Sequence, residues 1–233
     1  MRSQKSLWCL VLTVAAVSLM AWTQLSFAQM PGIPNMPKIY GEFKMPPVGS
    51  YVTYKWVLKG SGLEKTTKFS VVGKEKSDKG TDIYWYEIED IDNKTGQGVI
   101  TKMLISGNPS DIGTVYRMIM KQGKEPAREL DQGMIQLINV SPTAKTETAD
   151  IPKIKNLGTE KVKAKDQVMD CAHMRYLVKG KTTADVWNNA KVPLFGMVKT
   201  VTPDASFELV SYGTNAVTAI TEKPELLEIP GQK

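Results

Sequence analysis

The sequence predicts a mainly β protein, built as a curved antiparallel sheet or half-open β-barrel with one or two short helices. Three observations predict this fold class. Apolar and polar residues alternate with a period of two from Tyr51 onward, as on a half-buried strand. Runs of β-branched and aromatic residues are separated by short turns rich in Gly, Asn and Asp, which is typical of hairpins. Approximate helical spacing is confined to Glu129–Val140, which is equally compatible with a buried loop.

The alternation predicts about nine to eleven strands, with ends uncertain by a few residues. The clearest are 51–58, 65–72, 81–91, 98–105, 115–121, 159–164, 167–178, 182–187, 192–201 and 206–212. The polar segment 141–157 contains two prolines and predicts a loop, and segment 216–229 predicts either a short helix or extended chain. So many strands in one chain need closed or covered edges, so we expect a sandwich, a barrel or a strongly curved sheet.

Residues 1–28 have the layout of a cleavable signal peptide. Two basic residues precede the uncharged apolar run 7–20, and Ser26 and Ala28 are the small residues expected before a cleavage site. An uncleaved membrane anchor is the alternative, because the uncharged stretch 6–30 is long enough to span a bilayer. We expect cleavage, a periplasmic or secreted location, and no transmembrane segment in the mature chain.

The predicted mature chain has three parts. Residues 29–50 are rich in Pro and Gly and predict an extended leader, residues 51–222 a single antiparallel β domain, and residues 223–233 a tail. Cleavage leaves 28 basic against 24 acidic residues, a net charge of +4 with no long basic run, so nucleic acid is not an expected partner. It also removes Cys9, which leaves Cys171 as a free thiol or one that pairs between chains.

His173 is the only histidine in the sequence, which excludes several classes of site. Zinc sites with two or three histidines and blue-copper sites cannot form, and a serine triad lacks its usual Gly-x-Ser-x-Gly motif. On a strand, Met169, Cys171 and His173 would share one face and could hold Cu(I). We favour a structural interpretation, in which Cys171, His173 and Arg175 occupy the polar face and Met169 is incidental. The opposite, apolar face would consist of Val168, Ala172, Met174, Tyr176 and Val178.

Glu87 and Glu89 fall on one face of a predicted strand, as the two carboxylates of a glycosidase might. Such a pair must face a substrate from two sides, and usually comes from different elements. Acidic residues this close to a turn are expected to form a solvated edge. We therefore expect no catalytic residue, no bound metal and no cofactor, and predict that the protein is not an enzyme.

Aromatic and methionine residues are spread over many of the predicted strands. The simpler interpretation is an ordinary core, and the alternative is an incompletely filled apolar cavity, because flexible methionine suits adaptable binding surfaces. The predicted ligand-binding residues of such a cavity are Trp56, Trp85, Met118, Trp187, Phe195 and Met197.

The C-terminal half carries a recognisable series of segments. They are Cys171-Ala172-His173, a turn at Gly180, Asp185-Val186-Trp187, the run from Val192 to Lys199 that contains Val-Pro-Leu-Phe-Gly, and Glu208 to Gly213. Over residues 160–213 the chain resembles uncharacterised bacterial exported proteins whose sheets are similar to the periplasmic lipoprotein-carrier superfamily. That resemblance implies a half-open antiparallel barrel, covered by short helices, that carries acyl chains on its concave face.

Two functions follow as expectations. The first is binding or transfer of a lipid, a lipoprotein acyl chain or another hydrophobic molecule in the concave cavity. The alternative is a non-enzymatic module of the cell envelope that binds a protein partner, with the leader 29–50 as its contact or tether.

Overall fold

The computed structural model describes residues 46–107, 113–140 and 152–227. Together they form a single curved sheet that does not close into a barrel, with one short helix. The predicted fold class is thereby confirmed, although the sheet has twelve strands and not nine to eleven. The predicted signal peptide 1–28 and most of the leader 29–50 lie outside the described residues.

Twelve strands and one helix follow one another along the described part of the chain. The strands are β1 (Tyr51–Leu58), β2 (Leu63–Lys76), β3 (Asp82–Asp92), β4 (Gly98–Ile105), β5 (Val115–Gln122), β6 (Arg128–Leu130), β7 (Lys153–Ala164), β8 (Gln167–Val178), β9 (Lys181–Asn188), β10 (Met197–Val201), β11 (Ala205–Gly213) and β12 (Glu225–Leu227). The helix, α1, spans Gln132–Val140 between β6 and β7.

Two antiparallel meanders lie side by side in the sheet. Strands β1 to β6 pair in sequence order, strands β7 to β11 do the same, and β1 pairs with β11 to join the two sets. The chain therefore passes from near one edge of the sheet to the other between β6 and β7. Strand β12 returns to the first edge and pairs in parallel with β6. Short turns rich in Gly, Asn and Asp explain the meanders, because they favour antiparallel neighbours.

Strand register assigns each side chain to one of two faces, because directly paired residues project to the same side. Val52, Phe69 and Ile88 are paired across β1, β2 and β3. We call their side of the sheet the front face; Tyr54 also lies on it, since it is two positions from Val52. The other side is the back face, and it includes Lys55.

The C-terminal segment 214–224, which we call the strap, covers the back face of β3 to β5. Its residue Ile220 is 5% exposed and belongs to a core cluster with Ile83, Trp85, Leu104, Ile119 and Ala127. Burying a side chain of this size contributes about 2 kcal/mol. At the end of the strap, Lys121 donates to the carboxylate of Glu222. The central strands of the first meander are therefore packed on both faces.

Helix α1 resolves the ambiguity of Glu129–Val140 in favour of a helix preceded by the short strand β6. Asp131 acts as its N-cap, because its carboxylate accepts from the backbone N–H of Met134 at 2.8 Å. Asn139 binds both backbone groups of Val115 at the start of β5, with distances of 2.9 and 2.8 Å. With Ile135 buried, the helix is held against β5.

Three predicted boundaries are wrong. Residues 153–157 belong to β7 and not to a loop, although β7 pairs with β8 as expected. Strand β10 begins only at Met197, because Leu194 has a positive φ of 67° and the proline before it has no backbone donor. Strand β12 joins the sheet, so the β domain continues beyond residue 222.

Candidate functional site: the aromatic interior of the front face

An aromatic cluster occupies the front face near the middle of the sheet. It consists of Tyr54, Phe69, Tyr86 and Phe195, each at most 3% exposed. The ring of Phe69 contacts all three others, with centroid distances of 6.2 Å to Tyr54, 6.3 Å to Tyr86 and 5.1 Å to Phe195. Edge-on and offset arrangements of this kind stabilise aromatic rings beyond the effect of burial alone. The cluster is the most aromatic part of the described interior.

The segment 189–196, which we call the cover loop, places Phe195 on this cluster. The loop is closed by a hydrogen bond of 2.7 Å from the backbone N–H of Asn189 to the carbonyl of Gly196. Val192 and Leu194 are buried along with Phe195. Leu194 adopts the left-handed region with φ of 67°, which costs a residue with a side chain about 1 kcal/mol. The loop therefore holds its apolar side chains inward at the expense of local strain.

The two tyrosine hydroxyl groups of the cluster differ in their hydrogen bonding. The hydroxyl of Tyr54 donates to the backbone carbonyl of Met197 at 3.0 Å. The hydroxyl of Tyr86 is buried and finds no hydrogen-bond partner among the described residues. Burial raises the pKa of both groups above its ordinary value, so both remain neutral donors near neutral pH. Tyr86 is thus a buried donor with an unused hydrogen bond.

Flexible apolar side chains lie beside Tyr86 on the front face. Tyr86 is paired with Met103 on β4, and Met103 with Met118 on β5, so all three share the front face. Met103 and Met118 are 2% and 1% exposed. Methionine side chains adapt to irregular spaces more readily than branched ones do.

A second unpaired donor lies farther along the front face. Trp56 on β1 packs edge-on against its partner Phe207 on β11, with ring centroids 4.2 Å apart. Its indole N–H is buried and has no hydrogen-bond partner within the described ranges. The register places Trp56 level with Asp92 of β3. Asp92 is six positions from Tyr86 on that strand, so the two donors are separated by roughly 20 Å along the strand direction. The front interior therefore has an unused donor at each end.

Only part of the predicted ligand-binding set meets on one face. Trp56 and Met118 lie on the front face by register, and Phe195 lies there as a member of the aromatic cluster. Met197 follows the cover loop, and its backbone carbonyl accepts from the hydroxyl of Tyr54. The placement of Trp85 and Trp187 in the same cavity is wrong. Trp85 is adjacent to Tyr86 and projects to the back face, where it joins the cluster under the strap. Trp187 is paired with Lys199, which is level with Glu208 and Lys55, so it also lies on the back face.

The contacts of Trp85 indicate a structural role and not ligand binding. Its indole N–H donates to Glu75 at 2.6 Å, and the cationic ends of Lys102 and Arg117 each lie 5.1 Å from its ring centre. Arg117 in turn donates to the Glu129 carboxylate through two of its three nitrogens, which raises the pKa of the guanidinium. With the ring only 8% exposed, this arrangement of charges gives Trp85 a structural role on the back face.

Trp187 belongs to a polar cluster on the back face of β7 to β9. Its ring stacks on His173 at 4.2 Å, and its indole N–H donates to Glu160 at 2.7 Å. The two ring nitrogens of His173 lie 3.1 Å from Glu160 and 3.2 Å from Asp185. Arg175 binds Asp185 through two nitrogens, and this pairing lowers the pKa of the Asp185 carboxyl, with a smaller contribution from His173.

The copper hypothesis has little support in this geometry. Both nitrogens of His173 face carboxylates, and the Cys171 thiol is buried and donates weakly to the carbonyl of Met169 at 3.5 Å. Burial and nearby acidic groups raise the pKa of this thiol, which disfavours the thiolate that a metal would need. Within the described ranges, no three His, Cys, Asp or Glu side chains are grouped so as to hold a metal ion. On the opposite face, Val168 does not belong to an apolar core, since it is 65% exposed.

The interpretation of Glu87 and Glu89 as a solvated edge is wrong for Glu87. Glu89 forms a part-buried ion pair with Lys68 at 2.6 Å. Glu87 is completely buried under the strap, where its carboxylate accepts from the hydroxyl of Thr218 at 2.7 Å and the backbone N–H of Ala219 at 2.9 Å. The alternation correctly places both acids on one face, but it contains no information about the segment that covers that face.

Tyr54, Phe69 and Tyr86 form the site but were absent from the predicted ligand-binding set. The run Tyr84-Trp85-Tyr86 contains three adjacent aromatic residues, and alternation alone cannot tell which side of the sheet each one faces. The answer depends on pairing with β2 and β4, and β2 has a bulge between Val71 and Gly73 that changes the register. The sequence does indicate that Val52, Tyr54 and Trp56 share one face of their strand, because they are spaced two positions apart.

The described residues include no helix with the length and apolar character that crossing a membrane requires. No protein-family model matches the chain, and no curated protein matches its sequence.

Proposed function

We propose that this chain is an exported, non-catalytic protein that binds or carries a lipid or another hydrophobic molecule on the front face of its sheet. The observation that carries the proposal is the buried hydroxyl of Tyr86, which has no partner among the described residues. A buried polar group without a hydrogen bond costs about 1–3 kcal/mol, so such a group is usually retained for a purpose. A ligand with an apolar body and one acceptor oxygen would satisfy it.

The surroundings of this hydroxyl support the same class of ligand. The aromatic cluster and the buried side chains of Met103 and Met118 supply an apolar lining. The front face becomes more polar along β2. Phe69 is followed on this face by Thr67, whose hydroxyl donates a hydrogen bond to Asp90, and then by Lys65. An apolar interior with a polar end suits a molecule with an acyl chain and a headgroup. The signal-peptide pattern of residues 1–28 adds export to the periplasm to the proposal.

The cover loop supplies the route of entry. The side chain of Phe195 packs on the front face against two rings, with centroids 5.1 Å from Phe69 and 6.4 Å from Tyr54. The strained conformation at Leu194 stores energy that a displaced loop would release. A ligand can therefore take the place of Phe195 without breaking strand pairing.

Replacing Tyr86 with Phe tests the proposal in two opposite directions. Y86F removes an unsatisfied donor, so the free energy of unfolding of the empty protein should rise by about 1 kcal/mol. The same change should weaken binding of a dansylated undecanoic acid by about tenfold, because it removes one hydrogen bond to the ligand. Urea unfolding and fluorescence titration of the delipidated protein measure the two quantities.

The matched control is Tyr116→Phe, which changes a half-buried tyrosine that packs against the back-face cluster. It should leave affinity for the dansyl probe unchanged. Mass spectrometry of an organic extract of the purified protein should in addition detect a bound lipid. A protein that purifies empty and takes up no probe would contradict the proposal. So would a Y86F variant that is less stable than the wild type, because the hydroxyl would then have a partner within the protein.

A further inference from the structure

Two neighbouring segments at one corner of the sheet combine positive charge with exposed aliphatic side chains. They are residues 153–157 at the start of β7 and residues 175–181 at the end of β8, and we call them together the basic corner. They contain five basic residues and no acidic one. The basic residues are Lys153, Lys155, Arg175, Lys179 and Lys181.

Strand register brings these residues to the same corner of the sheet. Lys153 and Lys155 are paired with Leu177 and Arg175 and project to the back face, whereas Lys181 is paired with Val178 and, like Ile154, projects to the front face. The turn residues Lys179 and Gly180 have φ values of 49° and 77°, as in a two-residue hairpin turn of type I′. The positive charges therefore lie within about four residue spacings, or roughly 13 Å, along the strands.

Charge compensation at the basic corner is limited. Arg175 is bound to Asp185 of β9. Lys153, Lys155 and Lys181 are exposed, and none of them is in an ion pair with another described residue. Their positive charge is therefore available to an external anion.

The same corner exposes aliphatic surface where a sheet would ordinarily bury it. Ile154 is 41% exposed and Leu157 is 38% exposed, and both belong to the edge strand β7, which has β8 as its one neighbour among the described strands. Leu177 and Val178 on β8 are half-buried. Lysines on an edge strand can serve simply to prevent strand addition. That role explains charge alone and does not explain the aliphatic side chains beside it.

We infer that the basic corner docks on an anionic phospholipid surface. With the edge of β7 directed at the membrane, lysines of both faces would bind headgroup phosphates, and the side chains of Ile154 and Leu157 would enter the boundary with the acyl chains. A soluble polyanion would use the charge alone, whereas a phospholipid surface uses the charge and the aliphatic side chains together. The inference is independent of what the front face binds.

Vesicle flotation tests the inference with the full mature chain. The wild type should float with vesicles that contain phosphatidylglycerol, should not float with pure phosphatidylcholine, and should be partly released by salt. The triple variant Lys153→Glu, Lys155→Glu, Lys181→Glu should lose at least about tenfold in partition coefficient. Replacing Ile154 and Leu157 with Ser keeps the charge, so it should preserve binding at low salt and abolish the fraction that resists salt.

The matched control is the triple variant Lys79→Glu, Lys94→Glu, Lys124→Glu. It changes the net charge by the same amount, but on exposed turns elsewhere in the first meander. Its partition coefficient should remain within about twofold of the wild type after allowance for long-range charge. An equal loss in both triple variants, or a wild type that does not float with anionic vesicles, would overturn the inference. Urea unfolding of the corner variant shows that it is folded, so this result does not depend on whether the front face binds the dansyl probe.

Discussion

At the scale of single residues, Glu87 shows how a charge can hold a segment in place. Its carboxylate is fully buried between the sheet and the strap, and it accepts from Thr218 and from the backbone of Ala219. Lys102 donates to the same Thr218 hydroxyl at 3.0 Å, so a cation lies one hydrogen bond away. A buried carboxylate is tolerated only when groups of this kind satisfy its oxygens.

Replacing Glu87 with Ala should lower the free energy of unfolding by about 2–4 kcal/mol, because it leaves a cavity and a buried N–H without an acceptor. Urea unfolding measures this loss. The strap should also loosen, and the backbone N–H of Ala219, which loses its acceptor, should then exchange faster with deuterium. The control Glu208→Ala removes an exposed partner of Lys199, and should cost less than about 1 kcal/mol. A Glu87→Ala variant as stable as this control would show that the carboxylate does not anchor the strap.

At the scale of elements, the junction between the strap and β1 depends on Gly49. Its N–H donates to Val71 at 2.7 Å, and its carbonyl accepts from Ala216 at 2.8 Å, so it connects β2 to the start of the strap. Its φ is +95°, and a Cβ at this position would overlap the backbone carbonyl oxygen of Thr214. Backbone atoms cannot move aside as the end of a flexible side chain can.

Gly49→Ala should therefore destabilise the protein by about 2 kcal/mol or more. Gly80→Ala is the matched control, since Gly80 also has a positive φ, of +75°, but lies in open space. It should cost only about 1 kcal/mol, which corresponds to the conformational strain alone. The difference between the two midpoints of thermal or chemical unfolding measures the overlap with Thr214. Equal losses would mean that the strap moves to accommodate the added methyl group.

Elements were predictable to the extent that their signals are local. Alternation in Tyr51–Leu58 and the turns at Gly60 to Gly62 and Lys179 to Lys181 specify hairpins through nearby residues alone, and the structure has them. The strap was not predictable as a cover, because segment 214–224 has no periodicity and is held by distant groups such as Glu87. The two faces were also not predictable beyond one strand, because bulges such as the one between Asn156 and Gly158 change which side a residue faces.

At the scale of the whole molecule, the sheet is covered unequally. Strands β3 to β5 are packed under the strap on one face, with the aromatic cluster on the other, whereas β7 is exposed along almost its whole length. The proposed ligand site thus lies in the well-packed part of the sheet, and the proposed membrane contact lies at its exposed edge strand. A carrier that must hold its ligand and also approach a membrane needs both kinds of surface.

The two meanders are coupled through the pairing of β1 with β11. All eight residues of β1 have partners in β11, so Tyr51 lies opposite Gly213, which is far away in sequence. Trp56 and Phe207 pack across this seam on the front face. Because such distant pairing forms only when most of the chain is ordered, we expect the meanders to unfold together.

Native-state hydrogen exchange can test this coupling. Backbone amides of β2 and β11 should exchange with one common free energy, equal to that of global unfolding, although they belong to different meanders. Amides of β7 should exchange at least about a hundredfold faster, because an exposed edge strand opens locally. Mass spectrometry of peptides from each strand measures the three rates, and urea unfolding gives the reference value. If β9 to β11 exchanged together at a clearly lower free energy than β2 to β4, the seam would not couple the two halves, and each meander would be a separate unfolding unit.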